Sequence, residues 1–567
     1  MRIAIAQQNY HIGNFEANVQ KIISGIDWAK KQGADLVVFS ELCVCGYPPR
    51  DFLEFSDFIN KCYEAVDVIK EHADTIGVLI GAPERNLNSK GKDLFNAAFL
   101  LYEKEIKGQV RKTLLPTYDV FDEYRYFEPA FDWGVLSFKG KKLAVTICED
   151  IWNMDDNPLY RTTPMEELAK FAPDIMINLS ASPYNYAQDV VRTSIVRAHT
   201  LKYNIPMVYC NTVGSQTEIV FDGGSLIYDN KGNQVYEAKY FEEDYAVVDY
   251  EALICNEAGK STPDDKVYFS AADVSAGRNT LDYLMDEKNI EEIYQALILG
   301  IKDYFTKMGF TKAILGSSGG IDSAVTLALA AEALGKKNIW AVLMPSHFST
   351  SHSVGDAEQL SINLGNPYDI IPIKDIYDTF LKALNPIFKD LPFSVAEENI
   401  QSRSRGNLLM AISNKFGNIL LNTSNKSELA AGYGTLYGDM AGGLSVLGDV
   451  YKTQVYALAR YINRGKEIIP QHIITKPPSA ELRPNQKDSD SLPEYDELDT
   501  ILFEYIERRK GPKEIVAQGY DEKLVARILR LVNINEYKRN QFCPIIRVSY
   551  KAFGVGRRMP IVGKYLS

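Results

Sequence analysis

The apolar positions of the chain follow two rhythms. Residues 3–6, 35–39, 77–81, 96–102, 142–147 and 174–183 contain short, nearly continuous runs of Val, Ile, Leu, Ala and Phe. Such runs predict strands buried on both faces. Residues 15–32 instead return apolar side chains every three or four positions and stop near Gly33, which predicts an amphipathic helix. Residues 205–213 and 224–228 predict further strands, with Gly223 and Gly224 as a break between them. Residues 251–285 lose the periodicity and gain Gly, Ser, Asp and Pro, the signature of a connection between domains. A helix is then predicted over 287–308, ending at Gly309. Strands follow at 313–315, 339–344, 368–373 and from 419, with helical stretches between them. That β-α-β-α-β order predicts a doubly wound parallel sheet, with ligands outside the carboxyl ends of its strands.

Composition narrows the class. The 567 residues are enough for about two to four domains, and 46% hydrophobic with 24% charged residues describes a globular chain with large cores. A net charge of −12 without a long basic run argues against nucleic acid as a partner. The seven cysteines, Cys43, Cys45, Cys62, Cys148, Cys210, Cys255 and Cys543, are scattered and odd in number. Cys43 and Cys45 have no second pair, which argues against a zinc site. Residues 1–6 turn polar too soon for a signal segment, and residues 324–334 are interrupted by Glu332, so neither export nor a membrane span is expected. The expected location is the reducing cytoplasm.

One stretch carries recognisable chemistry. Ala313, Ile314 and Leu315 form a strand, Gly316 to Gly320 a tight turn, and Asp322 and Ser323 open a helix that Gly335 stops. A strand, a glycine turn and a helix N-terminus make an anion site. The turn lacks the Gly-Lys-Ser/Thr ending of a Walker loop and closes with Ile321, Asp322 and Ser323. An acidic residue beside bound phosphate predicts a Mg²⁺ ligand. Glu428, in the polar turn after residues 419–422, is placed to complete that Mg²⁺ site, and Thr423 to hydrogen-bond ligand. Lys452 opens a later helix, where its charge can reach phosphate. A glycine-rich loop spans 437–443, and the Pro-rich, acidic stretch 476–499 reads as a mobile lid. The basic end of the chain, with Lys538, Arg539, Arg547, Lys551, Arg557, Arg558 and Lys564, suits an anionic substrate.

In the first half, Glu41, Lys112 and Cys148 each stand beside a predicted strand. Singly they read as a loop carboxylate, a surface lysine and a packed thiol. Together they are a set in which a thiolate attacks an amide carbonyl and a carboxylate moves the proton. The ammonium then stabilises the oxyanion and lowers the thiol pKa.

Three resemblances follow from these residues. The string Ser318-Gly319-Gly320-Ile321-Asp322-Ser323 resembles the loop of enzymes that split ATP between the α and β phosphates. Residues 40–51 and the block Cys148-Glu149-Asp150-Ile151-Trp152 resemble the nitrilase/amidase superfamily. That resemblance implies an α-β-β-α sandwich with Cys148 as nucleophile, Glu41 as general base and Lys112 as the third member. The pairing of the two halves resembles the family of glutamine-dependent NAD synthetases.

This last resemblance implies an α/β chain in three parts: a nitrilase-like glutaminase domain over 1–250, a linker over 251–285, and a Rossmann-like ATP pyrophosphatase domain over 286–567. It implies glutamine, ATP and deamido-NAD as substrates, Mg²⁺ with ATP, and a homo-oligomer. Tyr118, Ser182 and Gln188 fall on glutamine-binding positions, although Gln188 departs from the basic residue usual there. Gly316, Ser317, Ser318, Gly319, Gly320, Ile321, Asp322, Ser323, Thr423, Lys452 and Ser479 fall on ATP positions. Asn399, Glu428 and Lys538 fall on deamido-NAD positions, and Asp322 and Glu428 on Mg²⁺ positions. Arg125 stands where lysine is common, with Glu123 beside it as a second carboxylate. The rivals are a simple amidase with a degenerate second half and a nucleotide sensor without catalysis. The intact nucleotide-loop residues argue against the first, and the intact Glu41, Lys112 and Cys148 against the second.

Overall fold

Two six-stranded sheets make up the first of two units, Met1–Val274 and Ser275–Ser567. The computed structural model describes residues 1–88, 90–154, 159–255, 266–389, 391–484 and 486–566. In chain order the strands of the first unit are β1 (Arg2–Gln7), β2 (Leu36–Val38), β3 (Gly77–Arg85), β4 (Leu94–Tyr102), β5 (Glu105–Arg111), β6 (Leu136–Phe138), β7 (Lys141–Ile147), β8 (Ile175–Ser180), β9 (Met207–Asn211), β10 (Val213–Gln216), β11 (Ile219–Asp222), β12 (Leu226–Tyr228), β13 (Gln234–Glu237) and β14 (Asp244–Asp249). One sheet has the order β14-β1-β2-β3-β4-β5 and the other β13-β12-β9-β8-β7-β6, while β10 and β11 form a hairpin.

Alternation along the strands explains the layering. Ile3, Ile5, Leu36 and Val38 share a core with Val145, Ile147, Ile177 and Val208 of the other sheet. The intervening Ala4, Ala6, Val37 and Phe39 pack with Ile22, Ile26, Val66 and Ile69 of the helices Phe15–Lys31 and Ser56–His72. On the far sheet, Ala144, Met176 and Met207 pack with Val191 and Ile195 of the helix Gln188–Tyr203. Both faces of both sheets are therefore covered, and burial of each large aliphatic side chain contributes about 1.5–3 kcal/mol. The result is an α-β-β-α sandwich, in which β1 and β2 run parallel, as do β7, β8 and β9. β5 escapes the apolar pattern because it is an edge strand: Glu105, Ile106, Lys107 and Gln109 are exposed.

In the second unit β15 (Ala313–Gly316), β16 (Ile339–Leu343), β17 (Tyr368–Ile370), β18 (Ile419–Asn422) and β19 (Leu444–Ser445) form one parallel sheet of order β17-β16-β15-β18-β19. The order reverses at β15, which leaves a crevice at its carboxyl end. The helix Glu287–Met308 ends at Gly309 in the left-handed region, φ 75°, and the helix Ile321–Leu334 follows β15 directly.

The structure adds detail to the sequence reading in one place and departs from it in two. Within 251–285, residues 256–265 lie outside the described residues, and the rest carries the short helices Ala271–Val274 and Thr280–Leu284. The stretch read as a lid runs into the helix Tyr495–Ile506. There Asp499 is fully buried and accepts from the Thr453 N–H at 2.8 Å, so the end of that stretch is core. The basic tail is partly internal too. Arg539 is buried and donates to the carbonyls of Leu429 and Ala430, and buried Arg547 donates to Ser549 O. Among the described residues no helix is long and apolar enough to cross a membrane.

Lys426 opens the short helix that carries Glu428 and is fully buried. Its ammonium donates to Glu507 Oε1 at 2.9 Å and to Ser549 Oγ at 2.7 Å, and lies 2.9 Å from Asp449 Oδ1. Lys426→Met leaves two buried carboxylates without their cation. It is expected to cost about 3–5 kcal/mol, read from urea unfolding; a loss under about 1 kcal/mol would mean that the cluster does not hold the helix in place.

Candidate active sites

In the first unit the key side chains gather at the carboxyl ends of strands. Glu41 follows β2, Lys112 follows β5 and Cys148 follows β7. The Lys112 N–H donates to Asn96 O at 2.8 Å, which holds that residue against β4. Lys112 Nζ donates to Glu41 Oε1 at 2.7 Å and to the two oxygens of Glu123 at 2.8 and 2.9 Å. Glu41 also accepts from Asn96 Nδ2 at 2.7 Å and from the Ala181 N–H at 3.1 Å, while Glu123 accepts from Tyr47 Oη at 2.7 Å. All three charged groups are buried. Burial works against the ammonium, but Glu123 and Glu41 outweigh it and hold the Lys112 pKa well above the usual lysine range.

Cys148 sits at φ 41°, a left-handed conformation that costs a non-glycine residue about 1–3 kcal/mol and marks a sharp corner at the strand end. Asp150 ties that corner down, accepting from the N–H groups of Ile147 (3.0 Å), Thr113 (3.0 Å) and Leu114 (2.8 Å). It thereby joins the Cys148 turn to the Lys112 segment.

Lys112 lowers the thiol pKa, as the sequence reading expects, but larger effects oppose it. Burial pushes the Cys148 thiol well above its ordinary value, Glu41 adds to this, and Lys112 only partly opposes it. The ammonium is shared between two carboxylates, so little of its charge is left for the sulfur. A thiol held protonated must lose its proton to a base as it attacks.

Around this centre, Glu149 accepts from Tyr118 Oη and Tyr160 Oη, all at 3.0 Å, and burial pushes it up to about 7. The Ser182 N–H donates to Asn211 Oδ1 at 2.9 Å, one residue beyond the Ala181 N–H that reaches Glu41. Gln188 opens the helix Gln188–Tyr203 and accepts from Asn185 Nδ2 at 2.9 Å; no hydrogen bond among the described residues links it to Tyr118 or Ser182. Arg125 is more than half exposed and lies 3.7 Å from Asp51, apart from the Lys112 cluster.

In the second unit a cleft of about 530 Å³ opens where the strand order reverses. Gly316, Ser317, Ser318, Gly320, Ile321, Asp322, Ser323, Thr423, Lys452, Ser479, Asn399, Glu428 and Lys538 all line it. Gly319 does not. Its φ is 75°, and a Cβ there would stand 2.1 Å from Ser353 O, so the turn needs glycine. The turn is braced by the Gly320 N–H donating to Ser318 Oγ at 3.1 Å and the Ser318 N–H donating to Ser323 Oγ at 3.3 Å. Ser317 Oγ is buried without a hydrogen-bond partner among the described residues.

Lys452 lines the cleft and is paired with carboxylates there. Its buried ammonium donates to Asp322 Oδ2 at 2.6 Å and lies 3.5 Å from Glu428 Oε1. Asn425 Nδ2 donates to the other oxygen of Asp322 at 2.9 Å. Burial, with Asp322 adding and Lys452 opposing, pushes Glu428 up to about 8. Two carboxylates thus converge on one point. No group of three or more His, Cys, Asp or Glu side chains among the described residues forms a metal site by itself.

Lys538 donates to the carbonyls of Gly432 and Gly434 at 2.8 and 2.9 Å, and Asn399 accepts from Thr435 Oγ1 at 2.8 Å. Ser479 Oγ donates to Gln486 O at 2.6 Å. The segment around it is tied down: Glu481 accepts from Ser353 Oγ at 2.5 Å, and Gln401 Nε2 donates to Leu482 O at 2.8 Å.

Comparison with known proteins covers the whole chain. The family described as carbon-nitrogen hydrolase matches residues 2–254, and the family described as NAD synthase matches residues 293–542. The chain is 44% identical to the glutamine-dependent NAD(+) synthetase of Synechocystis sp., covering 99% of this chain and 98% of that one. It is 41% identical to the protein of that name from Thermotoga maritima, covering 100% and 99%. The solved structure of glutamine-dependent NAD+ synthetase from Acinetobacter baumannii in complex with adenosine diphosphate is 36% identical, with TM-score 0.74 over 99% of this chain and 98% of that chain.

Glu149 gives a pH test of the first site. Its raised pKa means that the folded state keeps a proton which the unfolded chain gives up near 4.5, so this group's contribution to stability falls as pH rises from about 4.5 to 7. Glu149→Gln removes that fall. Its stability relative to the unsubstituted protein is expected to rise across this window by up to about 3 kcal/mol, measured by denaturant unfolding at several pH values. A pH-independent difference would place Glu149 in water rather than in the protein interior.

Proposed function

The chain belongs to the family of glutamine-dependent NAD(+) synthetases, and we propose that its two units divide that reaction between them. The first unit, through residues 1–250, releases ammonia from glutamine. The second, through residues 286–567, uses ATP to convert the carboxylate of deamido-NAD into the carboxamide of NAD. The observation that supports this reading is the presence on one chain of two separate clusters of candidate residues. One is a buried Lys112 held by Glu41 and Glu123 in the unit that carries Cys148. The other is a glycine turn at the reversal point of a parallel sheet.

In the first site, Glu41 takes the Cys148 proton as sulfur attacks the side-chain amide carbon of glutamine. The carbon–nitrogen bond breaks, Glu41 returns the proton to the departing nitrogen, and a glutamyl thioester remains. Glu41 then deprotonates a water that adds to the thioester carbon; the carbon–sulfur bond breaks, glutamate leaves, and the Cys148 sulfur takes the proton back from Glu41. Lys112 stabilises the negative charge that develops on the carbonyl oxygen, and Glu123 keeps Lys112 charged and in place. Tyr118, Ser182 and Gln188 are assigned to glutamine itself.

In the second site, a free carboxylate is a poor electrophile. The carboxylate of deamido-NAD attacks the α-phosphate of ATP, pyrophosphate leaves, and ammonia displaces AMP from the adenylate. The amides of the 316–323 turn and the N-terminus of the helix Ile321–Leu334 take phosphate oxygens, with Thr423, Lys452 and Ser479. Asn399, Glu428 and Lys538 take deamido-NAD. The carboxylates of Asp322 and Glu428, already converging on one ammonium, are hard oxygen donors that suit Mg²⁺. When bound, Mg²⁺ neutralises charge on the departing pyrophosphate. We place the reaction in the cytoplasm and the active form as a homo-oligomer.

The test follows NAD formation from deamido-NAD and Mg-ATP by the Cys148→Ala protein. Glutamine and ammonium are supplied in parallel. The expected outcome is product with ammonium and a loss of at least about 10³-fold with glutamine. Product formed equally well from glutamine would remove Cys148 from the reaction. Absence of product from the unsubstituted protein with either nitrogen source would mean that deamido-NAD is the wrong acid.

A further inference from the structure

The cleft of the second unit contains a cation to which the roles above give no task. Arg405 lies on the helix Val395–Phe416 and lines the same cleft as Gly316, Asn399 and Lys538. Its Nε donates to Met344 O at 3.0 Å, just past the end of β16. Among the described residues this is its one hydrogen bond, and no carboxylate stands within ion-pairing distance of it. Three other arginines with little exposure are paired with carboxylates. Arg192 meets Asp222 at 2.7 Å, Arg508 meets Glu504 at 2.5 Å and Arg539 meets Glu536 at 2.8 Å.

A guanidinium remains charged at neutral pH even here, where burial pushes it down to about 10 and Asp439 and Glu481 act only through space. Arg405 is only half-buried, and its terminal N–H groups, bound by no described residue, open onto the cleft, where a ligand can take them. The cations nearby point the same way. Lys476 donates to Ser353 Oγ at 3.0 Å and Lys538 to backbone carbonyls, neither of them to a carboxylate. Lys452, by contrast, is already neutralised by Asp322. The anion missing from Arg405 is therefore one that a ligand brings into a cleft whose wall is a phosphate-type turn. The Nε bond to Met344 fixes the plane of the guanidinium and leaves its two terminal amino groups as a fork, the geometry that suits two oxygens of one phosphate.

We propose that Arg405 is a substrate-binding residue whose terminal N–H groups hold phosphate oxygens of a nucleotide in this cleft. The assignment rests on the functional reading above. Both ATP and the dinucleotide carry phosphate, and the test separates them.

Full-length Arg405→Gln and Arg405→Lys proteins are titrated calorimetrically, in one arm with Mg-ATP alone and in the other with deamido-NAD alone. Arg405→Gln is expected to weaken one of the two by about tenfold to a hundredfold. The arm that shows the loss identifies which nucleotide supplies the phosphate. Arg405→Lys, which keeps the charge without the fork, recovers part of the affinity. The melting temperature of Arg405→Gln without ligand is expected to stay level, because no described carboxylate binds the guanidinium; a purely structural arginine would lower it. If Arg405→Gln does not fold, Arg405→Lys is read by itself, with a loss of about threefold or more expected. Changes below about threefold in both arms, with the unsubstituted protein binding normally, overturn the assignment of Arg405 alone. An unsubstituted protein that binds neither nucleotide overturns the functional reading and the assignment together.

Discussion

A single ammonium group, buried between two buried carboxylates, sets the terms for the first unit. Lys112 has no exposed side-chain surface, and neither does Glu41. Taking three charges out of water is costly, and the arrangement holds only if each partner is fixed by further bonds. Asn96, the Ala181 N–H and Tyr47 supply them. Those bonds draw on β4, on the end of β8 and on the loop before the helix Ser56–His72. The need to satisfy one lysine thus brings the ends of several strands to one place. The same cluster explains why the nucleophile rests as a thiol: with its charge shared between Glu41 and Glu123, Lys112 cannot outweigh burial at Cys148. On the proposed function the proton moves during the attack, and Glu41, bonded to Lys112, accepts it.

The second unit solves the opposite problem. On the proposed function its ligands are polyanions, and the sheet presents backbone amides at a strand-to-helix turn rather than a wall of free cations. Lys452, the cation closest to the turn's own Asp322, is neutralised by it. Lys538 is bound to carbonyls. Lys426 and Lys452 are compensated by carboxylates, whereas the half-buried Arg405 meets none among the described residues. Full-length identity of 44% and 41% to two named synthetases fits this division of labour, since the relatives match both halves together.

Much of this was legible in the sequence, for definite reasons. Buried parallel strands must be apolar on both faces, so residues 142–147 and 313–315 announced themselves. Gly309 and Gly335 marked helix ends, and the string from Ser318 to Ser323 is restrictive enough to carry a chemical reading. What stayed hidden depends on partners remote in sequence. Asn96 looked like one more strand residue, because nothing local shows that Glu41 lies across from it. Asp150 sat inside a conspicuous block, yet its three backbone donors come from two separate segments. β5 was missed because an edge strand can be polar, and β19 because two residues, Leu444 and Ser445, make no pattern. The pull of Lys112 on the Cys148 thiol was read in its true direction, but the larger opposing effects, burial and Glu41, come only with the fold. Burial of Asp499 could not be read from an acidic run that looks like solvent-facing loop.

The central claim is that nitrogen released in the first unit becomes part of the dinucleotide made in the second. The most direct measurement supplies glutamine labelled with heavy nitrogen in its side-chain amide, together with Mg-ATP and deamido-NAD, and follows the product by mass spectrometry. The account predicts NAD carrying the label in its carboxamide, formed together with AMP and pyrophosphate. Unlabelled NAD, or glutamine hydrolysed with no labelled dinucleotide appearing, would contradict it.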